Sequence, residues 1–211
     1  MKAPLMAIAR HRIAIDGEGV TTLVAFHGCP VRCRYCLNSF CLRPEGLRRS
    51  MSPEEVLDEV KIDNLYFVAT GGGVCFGGGE PLLRSGFICR FAEIMPPSWK
   101  LTVETSLNVP IRHLKAMQGI VSKYIVDIKD MNPDIYERYT GKDNRQVEDN
   151  LKWMASNGLS DRTLIRLPLI PGFNTEADRD RSRLRLQEMK FAHFDEFAYL
   201  VLEDHSPAGR P

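Results

Sequence analysis

The chain has 211 residues, 44% of them apolar and 26% charged, as is typical of one globular domain with a sizeable core. Its 28 lysines and arginines nearly balance 27 aspartates and glutamates, and this net charge of +1 argues against nucleic acid as a bulk electrostatic partner. Without a bilayer-spanning apolar stretch or a secretory signal, we expect a single cytoplasmic domain over residues 1–211, with its core at about 16–202 and no membrane partner. Its six cysteines then fit metal ligation better than cross-links.

The N-terminal part predicts a short strand, a turn and a buried strand. Isoleucines within residues 6–20 lead into Asp16-Gly17-Glu18-Gly19, in which Asp and Gly favour a tight turn. Residues 21–26 form an apolar run with β-branched side chains, which is typical of a buried strand. The residues after this run therefore lie in a loop at the C-terminal end of a core strand.

Three cysteines stand in that loop: Cys29, Cys33 and Cys36. Thiolates on one short loop can converge on one face of an iron–sulfur cube, and three of them leave one of its four irons open for chemistry. The alternatives are zinc, a disulfide or a chance grouping. Structural zinc takes four ligands and no second cysteine pair follows, while a disulfide does not fit a chain without a secretory signal. We favour the iron–sulfur cluster.

A fourth cysteine, Cys41, lies five residues beyond Cys36 and could reach the same metal site. A fourth thiolate would close the open iron, so we expect Cys41 to be a small buried residue instead. The basic stretch 43–49 is interpreted as a solvated face. Residues 52–55 carry the serine, proline and glutamate of a helix N-terminus with a capping box, and the helix is expected to run to about residue 64.

A glycine-rich segment, residues 71–82, holds the next candidate site. Its apolar centre predicts a strand, and Gly78-Gly79-Glu80 follows it. Glycines allow positive φ and close approach of a ligand, so the backbone here could accept hydrogen bonds from an ammonium group. The plain alternative is a strand-to-helix turn. A helix at 86–95 follows, ended by two prolines.

The next predicted strand, 101–105, ends in Glu104, Thr105 and Ser106. Polar groups at a strand's C-terminal end lie where a parallel barrel keeps its site. Capping of the following helix by Thr105 or Ser106 is the alternative.

The strand predicted at 124–130 carries Asp127 and Lys129, which are two residues apart and so share one face. Lys129 could bind the carboxylate of a zwitterion, and Asp127 its amino group or a cation. Since burial without partners is costly, the alternative is that the two pair with each other.

The C-terminal part predicts helices at 133–140, 147–157 and 176–189, with strands at 164–170 and 194–202. Arg166 lies among apolar residues and needs a partner. That partner is a ligand or the carboxylate of a neighbouring strand.

Strands thus alternate with helices about six times, and the candidate residues lie at strand C-terminal ends. The pattern predicts an α/β fold with parallel strands and right-handed crossovers. Six units rather than eight predict a partial (β/α)6 barrel, open on one side.

Cys29, Cys33, Tyr35 and Cys36 spell a CxxxC-x-aromatic-C motif, which resembles the signature of the radical S-adenosylmethionine (SAM) superfamily. The 16–19 turn, Asn38 and above all the segment 131–141 resemble the glycyl-radical-enzyme activating enzymes, although that family has proline where this chain has Glu18. The resemblance covers about residues 16–174 and implies one [4Fe-4S] cluster held by the three cysteines. SAM would chelate the open iron, and one electron would cleave it to a 5′-deoxyadenosyl radical.

The same resemblance implies an anaerobic oxidoreductase that removes a glycine Cα hydrogen from a partner glycyl radical enzyme, with a flavodoxin or ferredoxin as electron donor. It implies a monovalent cation beside SAM and no catalytic group beyond the two cofactors. The family often has a histidine in or just after its last strand, and His205 comes slightly late for that role. The implied SAM contacts are Tyr35, Gly78, Gly79, Glu80, Glu104, Thr105, Ser106, Asp127, Lys129 and Arg166.

Two other functions stay open at this point. One is a radical SAM enzyme acting on a small molecule or peptide, similar to 7-carboxy-7-deazaguanine synthase. The other is a non-catalytic iron–sulfur electron carrier or sensor.

Overall fold

A computed structural model describes residues 1–199 and 201. Its strands are β1 (Ala3–Ile13), β2 (Val20–Phe26), β3 (Arg49–Met51), β4 (Gly73–Gly78), β5 (Lys100–Thr105), β6 (Lys123–Asp127), β7 (Thr163–Leu169) and β8 (His193–Ala198). Its helices are α1 (Pro53–Val60), α2 (Asn64–Thr70), α3 (Ser85–Ile94), α4 (Ile111–Ala116), α5 (Pro133–Thr140), α6 (Arg145–Ser156) and α7 (Glu176–Glu188).

The strands form one open sheet in the order β3-β1-β2-β4-β5-β6-β7-β8. The six strands from β2 through β4 to β8 are parallel, while β1 and β3 pair antiparallel at one edge. This confirms the predicted open α/β barrel of parallel strands. Every loop that leaves the C-terminal end of a parallel strand therefore reaches the same rim.

Alternation along the strands separates a hydrophobic face from a polar one. On β5, Leu101 and Val103 are fully buried in the main core, so Thr102 and Glu104 face the interior of the barrel. Phe26, Phe76 and Phe87 pack ring against ring on the core side, with centroids 5.4–6.3 Å apart. The barrel interior is thus left free to hold charged groups.

The strands predicted at 124–130 and 194–202 end earlier, at Asp127 and Ala198, so Lys129 lies just beyond β6 rather than on it. Three further details differ from the sequence-based expectation. β1 is an 11-residue strand rather than a short one. The stretch interpreted as a solvated face ends in β3, where Arg49 pairs with Leu5. The helix after Ser52 has its capping box with Glu55 but ends at Val60, and the separate α2 follows. The sequence of α2 has no amphipathic pattern by which the helix could be predicted, because Phe67 is its one buried residue.

A buried carboxylate ties the antiparallel edge to the rest of the sheet. Asp63, fully buried, accepts hydrogen bonds from Arg10 Nε at 3.0 Å and Thr22 Oγ1 at 2.8 Å, and His11 Nε2 lies 3.0 Å away. Burial would raise the pKa of Asp63, but the bonds from Arg10 and Thr22 outweigh it and hold the pKa below its usual value. Among the described residues, no helix combines the length and apolar character needed to cross a membrane.

Asp63→Asn should lower the free energy of unfolding by about 1–3 kcal/mol near neutral pH, since buried donors lose a charged acceptor. The stabilisation exists above the unfolded-state pKa and is lost as pH falls through the depressed folded-state pKa. Urea unfolding of cluster-free protein over the acidic range should therefore show the difference between wild type and variant shrinking. Asp58→Asn, an exposed residue of α1, is the matched control and should change little; an equal effect of both variants would contradict the assignment.

Candidate active site

The cysteine loop, residues 27–38, leaves the C-terminal end of β2 and is held by backbone hydrogen bonds from the end of α5. The amides of Arg32 and Arg34 donate to the carbonyls of Thr140 and Tyr139, at 2.8 and 3.1 Å. Cys29, Cys33 and Cys36 are all half-buried and reduced. The segment 131–141, identified from sequence only as a signature, thus fixes the path of the loop.

The three thiols meet different surroundings. Burial raises the pKa of Cys33 to about 12, although nearby Lys129 acts in the opposite direction. The pKa of Cys36 is lowered to about 7, chiefly by a hydrogen bond from Cys41 and despite its burial. Because a metal binds the thiolate, the positive charge of iron would overcome the cost at Cys33. The donor type therefore fits an iron–sulfur cluster, while no group of three or more His, Cys, Asp or Glu side chains in the described residues is placed to hold a single metal ion.

Cys41 lies behind this loop. It is 1% exposed, its carbonyl accepts from the Gly28 amide at 2.9 Å, and its side chain neighbours those of Cys29 and Cys36. These sulfurs and burial raise the pKa of Cys41, so its thiol stays protonated. It is a small buried residue beside two of the candidate ligands, which agrees with its position five residues beyond Cys36.

The glycine turn after β4 is fastened to the cysteine loop. Gly79 and Glu80 donate their amides to the carbonyls of Phe26 and Gly28, both at 2.8 Å, and Asn38 Nδ2 donates to the Gly78 carbonyl at 3.1 Å. Gly78 has φ +89°, and a Cβ there would lie 2.8 Å from Cα of Ala25. Only glycine permits this conformation and approach, so the turn and the loop form one rigid rim.

Glu80, Thr105 and Ser106 lie close together, and their side chains form hydrogen bonds with one another. The Glu80 carboxylate accepts from the hydroxyls of Thr105 and Ser106, both at 2.6 Å, and from the Ser106 and Leu82 amides at 2.9 and 3.1 Å. Burial raises the pKa of Glu80, and these donors partly offset that effect. The four donors fill the acceptor sites of a carboxylate, which leaves the Gly79 carbonyl and the second lone pair of the Gly78 carbonyl for a ligand.

A charged network lies inside the barrel. Arg166, in the middle of β7, pairs with Glu104 at 2.6 Å and lies 3.5 Å from Asp195. Its Nη2 also donates to the Ile15 carbonyl at 2.7 Å. Burial raises the pKa of Glu104 while Arg166 opposes the shift. The salt-bridge alternative for Arg166 is therefore observed, with a carboxylate two strands away.

The 16–19 turn reaches the same network. Asp16 is 1% exposed and pairs with Arg12 of β1. A Cβ at Gly17 would lie 2.9 Å from Thr102 Oγ1, so the turn packs against the inner face of the sheet. It is more than the plain turn that the Asp and Gly residues alone suggest.

Asp127 and Lys129 pair at the exit of β6, with Lys129 Nζ 3.1 Å from Asp127 Oδ2. Burial would lower the pKa of Lys129, but Asp127 and Cys33 outweigh it and raise the pKa above its usual value. The ammonium also lies 5.9 Å from the ring centroid of Tyr199. A permanent positive charge thus stands between the barrel rim and the cysteine loop.

An aromatic group of Tyr35, Tyr139, Phe173 and Tyr199 packs beside Cys33, with centroids 5.0–6.5 Å apart. The Tyr199 hydroxyl donates to the Tyr35 carbonyl at 2.8 Å, which links the end of β8 to the cysteine loop. The sequence placed Tyr199 within the last predicted strand, 194–202, whereas β8 ends at Ala198 and Tyr199 directly follows it. His205 lies outside the described residues.

A three-cysteine loop on the rim of an open parallel barrel defines the class of protein. The model of the Radical SAM superfamily matches residues 23–182, and the chain belongs to this family. The family implies a [4Fe-4S] cluster and SAM.

Within the family, the pyruvate formate-lyase-activating enzyme of Staphylococcus aureus (strain USA300) is 29% identical over 171 residues, which cover 78% of this chain and 67% of that one. The fold is shared with Streptococcus suis SuiB bound to S-adenosylmethionine, at a TM-score of 0.65 and 13% identity over 87% of this chain and 43% of that one. It is also shared with anSMEcpe with bound AdoMet, at a TM-score of 0.61 and 18% identity over 82% and 49%. The aligned region thus covers less than half of either solved structure.

Glu80→Gln should destabilise the protein by about 1–3 kcal/mol, because the amide replaces one acceptor with a donor that faces the Ser106 amide and hydroxyl. Urea unfolding of the cluster-free protein measures this. Glu93→Gln is the control, since its pair with Arg90 is exposed. An unfolding free energy equal to that of wild type would show that the Glu80 hydrogen bonds do not hold the turn.

Proposed function

We propose that this protein is a radical SAM activase, an oxidoreductase that prepares a partner glycyl radical enzyme by removing a glycine Cα hydrogen. The observation that carries the proposal is the three-cysteine loop beside the buried Lys129 ammonium, at the rim of an open barrel. The 29% identity to a pyruvate formate-lyase-activating enzyme supports this choice within the family. When bound, the cluster and SAM supply one-electron cleavage of a sulfonium and a carbon radical that can take hydrogen.

Cys29, Cys33 and Cys36 would hold the cluster through three of its irons. The backbone bonds from Tyr139 and Thr140 fix the loop, so the thiolates need little reorganisation to bind. Cys41 lies on the buried side of the loop next to two of these sulfurs. From there it would leave the fourth iron to SAM.

Lys129 and Asp127 would bind the amino acid end of SAM. An ammonium has three donors and Asp127 engages one, so Lys129 can also bind the SAM carboxylate. The carbonyls of Gly78 and Gly79 would accept from the SAM amino group. Glu80, Thr105 and Ser106 would act by holding that turn, with Tyr35 beside the cluster.

The interior of the barrel would receive the substrate and the monovalent cation. Glu104 and Arg166 place opposite charges there, and both are only partly buried. A peptide backbone presents donors and acceptors that such a pair can bind while water is excluded from the reacting carbon. We assign the open side of the barrel to a loop of the partner enzyme. The electron would come from a flavodoxin or ferredoxin, and the reaction would take place in an anaerobic cytoplasm.

Anaerobically reconstituted and reduced protein should convert SAM to 5′-deoxyadenosine and methionine, measured by chromatography. Cys33→Ala should lose this activity because one iron loses its ligand. Cys89→Ala, on α3 away from the loop, is the matched control and should keep it. Inactive wild type with an intact cluster would favour an electron carrier.

Mixing the reduced protein and SAM with a glycyl radical enzyme encoded by a neighbouring gene should generate a glycyl radical signal in electron paramagnetic resonance. SAM cleavage with no such signal for any candidate partner would favour the enzymes that act on small molecules or peptides.

Lys129→Met should weaken SAM binding to the cluster-loaded protein by roughly 10- to 100-fold, because a charge-assisted hydrogen bond is lost. Equilibrium binding followed by the spectral change at the cluster measures it. Lys123→Met, at the opposite end of β6, should bind like wild type. Equal affinity of both variants would remove Lys129 from the binding site.

A further inference from the structure

The Tyr139 hydroxyl is a buried donor without an acceptor. Tyr139 is 0% exposed on α5, and its hydroxyl makes no hydrogen bond within the described part of the chain. Leaving such a group unsatisfied costs free energy, and native structures hold few of them. An unsatisfied hydroxyl beside the candidate metal site therefore points to a ligand atom that accepts its hydrogen bond.

Packing around the Tyr139 ring prevents its hydroxyl from moving to reach water. The Tyr139 ring packs against Phe173, Tyr35 and Tyr199, with centroids 5.0, 6.1 and 6.4 Å away. The Tyr199 hydroxyl lies close and donates to the Tyr35 carbonyl at 2.8 Å, but it forms no hydrogen bond that satisfies the Tyr139 hydroxyl. The Tyr139 ring cannot swing to solvent without unpacking this aromatic group.

Besides the Tyr199 oxygen, the neighbour that can accept is the sulfur of Cys33. Cys33 packs against the same aromatic group. A sulfur that carries negative charge in such apolar surroundings gains from a donor close by. An unpaired donor and a sulfur in need of one thus share one small buried space.

We propose that the Tyr139 hydroxyl donates a hydrogen bond to sulfur on the Cys33 side of the bound iron–sulfur cluster and so raises its reduction potential. The inference rests on the cluster part of the proposed function and is independent of the substrate. Reduction adds negative charge to the cluster, so a hydrogen bond to its sulfur stabilises the reduced state more than the oxidised one. Tyr139 would favour acceptance of the electron that starts the reaction.

Removing the Tyr139 hydroxyl should not destabilise the cluster-free protein, but it should destabilise the bound cluster. Tyr139→Phe removes only the hydroxyl and leaves the ring in place. In cluster-free protein the variant should be as stable as wild type or more stable, because an unsatisfied group is gone. In loaded protein its cluster should have a more negative reduction potential and should lose iron to a chelator roughly 2- to 10-fold faster, as expected for one lost hydrogen bond.

Three measurements test this. Thermal unfolding is followed on the cluster-free protein. Redox titration, and proton electron–nuclear double resonance of the reduced cluster in H2O and D2O, are done on the anaerobically reconstituted protein. The last should show an exchangeable proton in wild type that is missing from the variant. Tyr124→Phe is the matched control, because its buried hydroxyl contacts the Met117 carbonyl rather than the aromatic group. It should leave both the potential and the proton signal unchanged.

Two results would overturn the proposal. One is an unchanged potential and proton signal in a fully loaded Tyr139→Phe variant. The other is a clear loss of stability in its cluster-free form, which would mean that the hydroxyl already has a protein partner. Wild type that binds the cluster and shows these effects, but generates no glycyl radical, would count against the proposed activase function alone.

Discussion

The structure depends on how tightly the backbone holds the cysteine loop. Amides of the loop bond to the end of α5, and the glycine turn after β4 donates into the loop from the other side. The Tyr199 hydroxyl adds a third attachment from the end of β8. A loop held from three elements keeps its thiols in place without metal, so cofactor binding need not also fold the loop.

The open barrel explains why the charged groups can be so near the site. Closing the sheet would fill the interior with apolar side chains, whereas here Glu104, Arg166 and Asp16 share it. Each charge has an opposite partner within the protein, which limits the cost of partial burial. The network therefore keeps a polar interior stable until a substrate arrives.

Structural features that depend on residues near one another along the chain were predicted correctly from the sequence. The capping box at Ser52, the strand before the cysteines and the helix that ends at Gly141 are all set by local chemistry, and the structure contains each of them. The repeating strand–helix pattern also sufficed for the open parallel sheet. Polar residues at strand ends were correctly placed on one rim, because parallel strands bring those ends together.

Contacts between distant parts of the chain could not be predicted in this way. Tyr139 and Tyr199 are 60 residues apart in number, and nothing local marks either of them as a neighbour of Cys33. The length of β1 was underestimated because much of the strand is exposed and lacks a clean alternation. For α2 the hydrophobic face is a single residue, so no period could reveal it.

The polar residues on the rim differ in how much hydrogen-bonding capacity they keep for a ligand. A carboxylate has about four acceptor sites, and those of Glu80 are occupied by four donors from the protein. Lys129 keeps two of its three donors after pairing with Asp127. Hydrogen-bonding capacity, more than position, therefore divides the rim into groups that bind and groups that hold the binding groups in place.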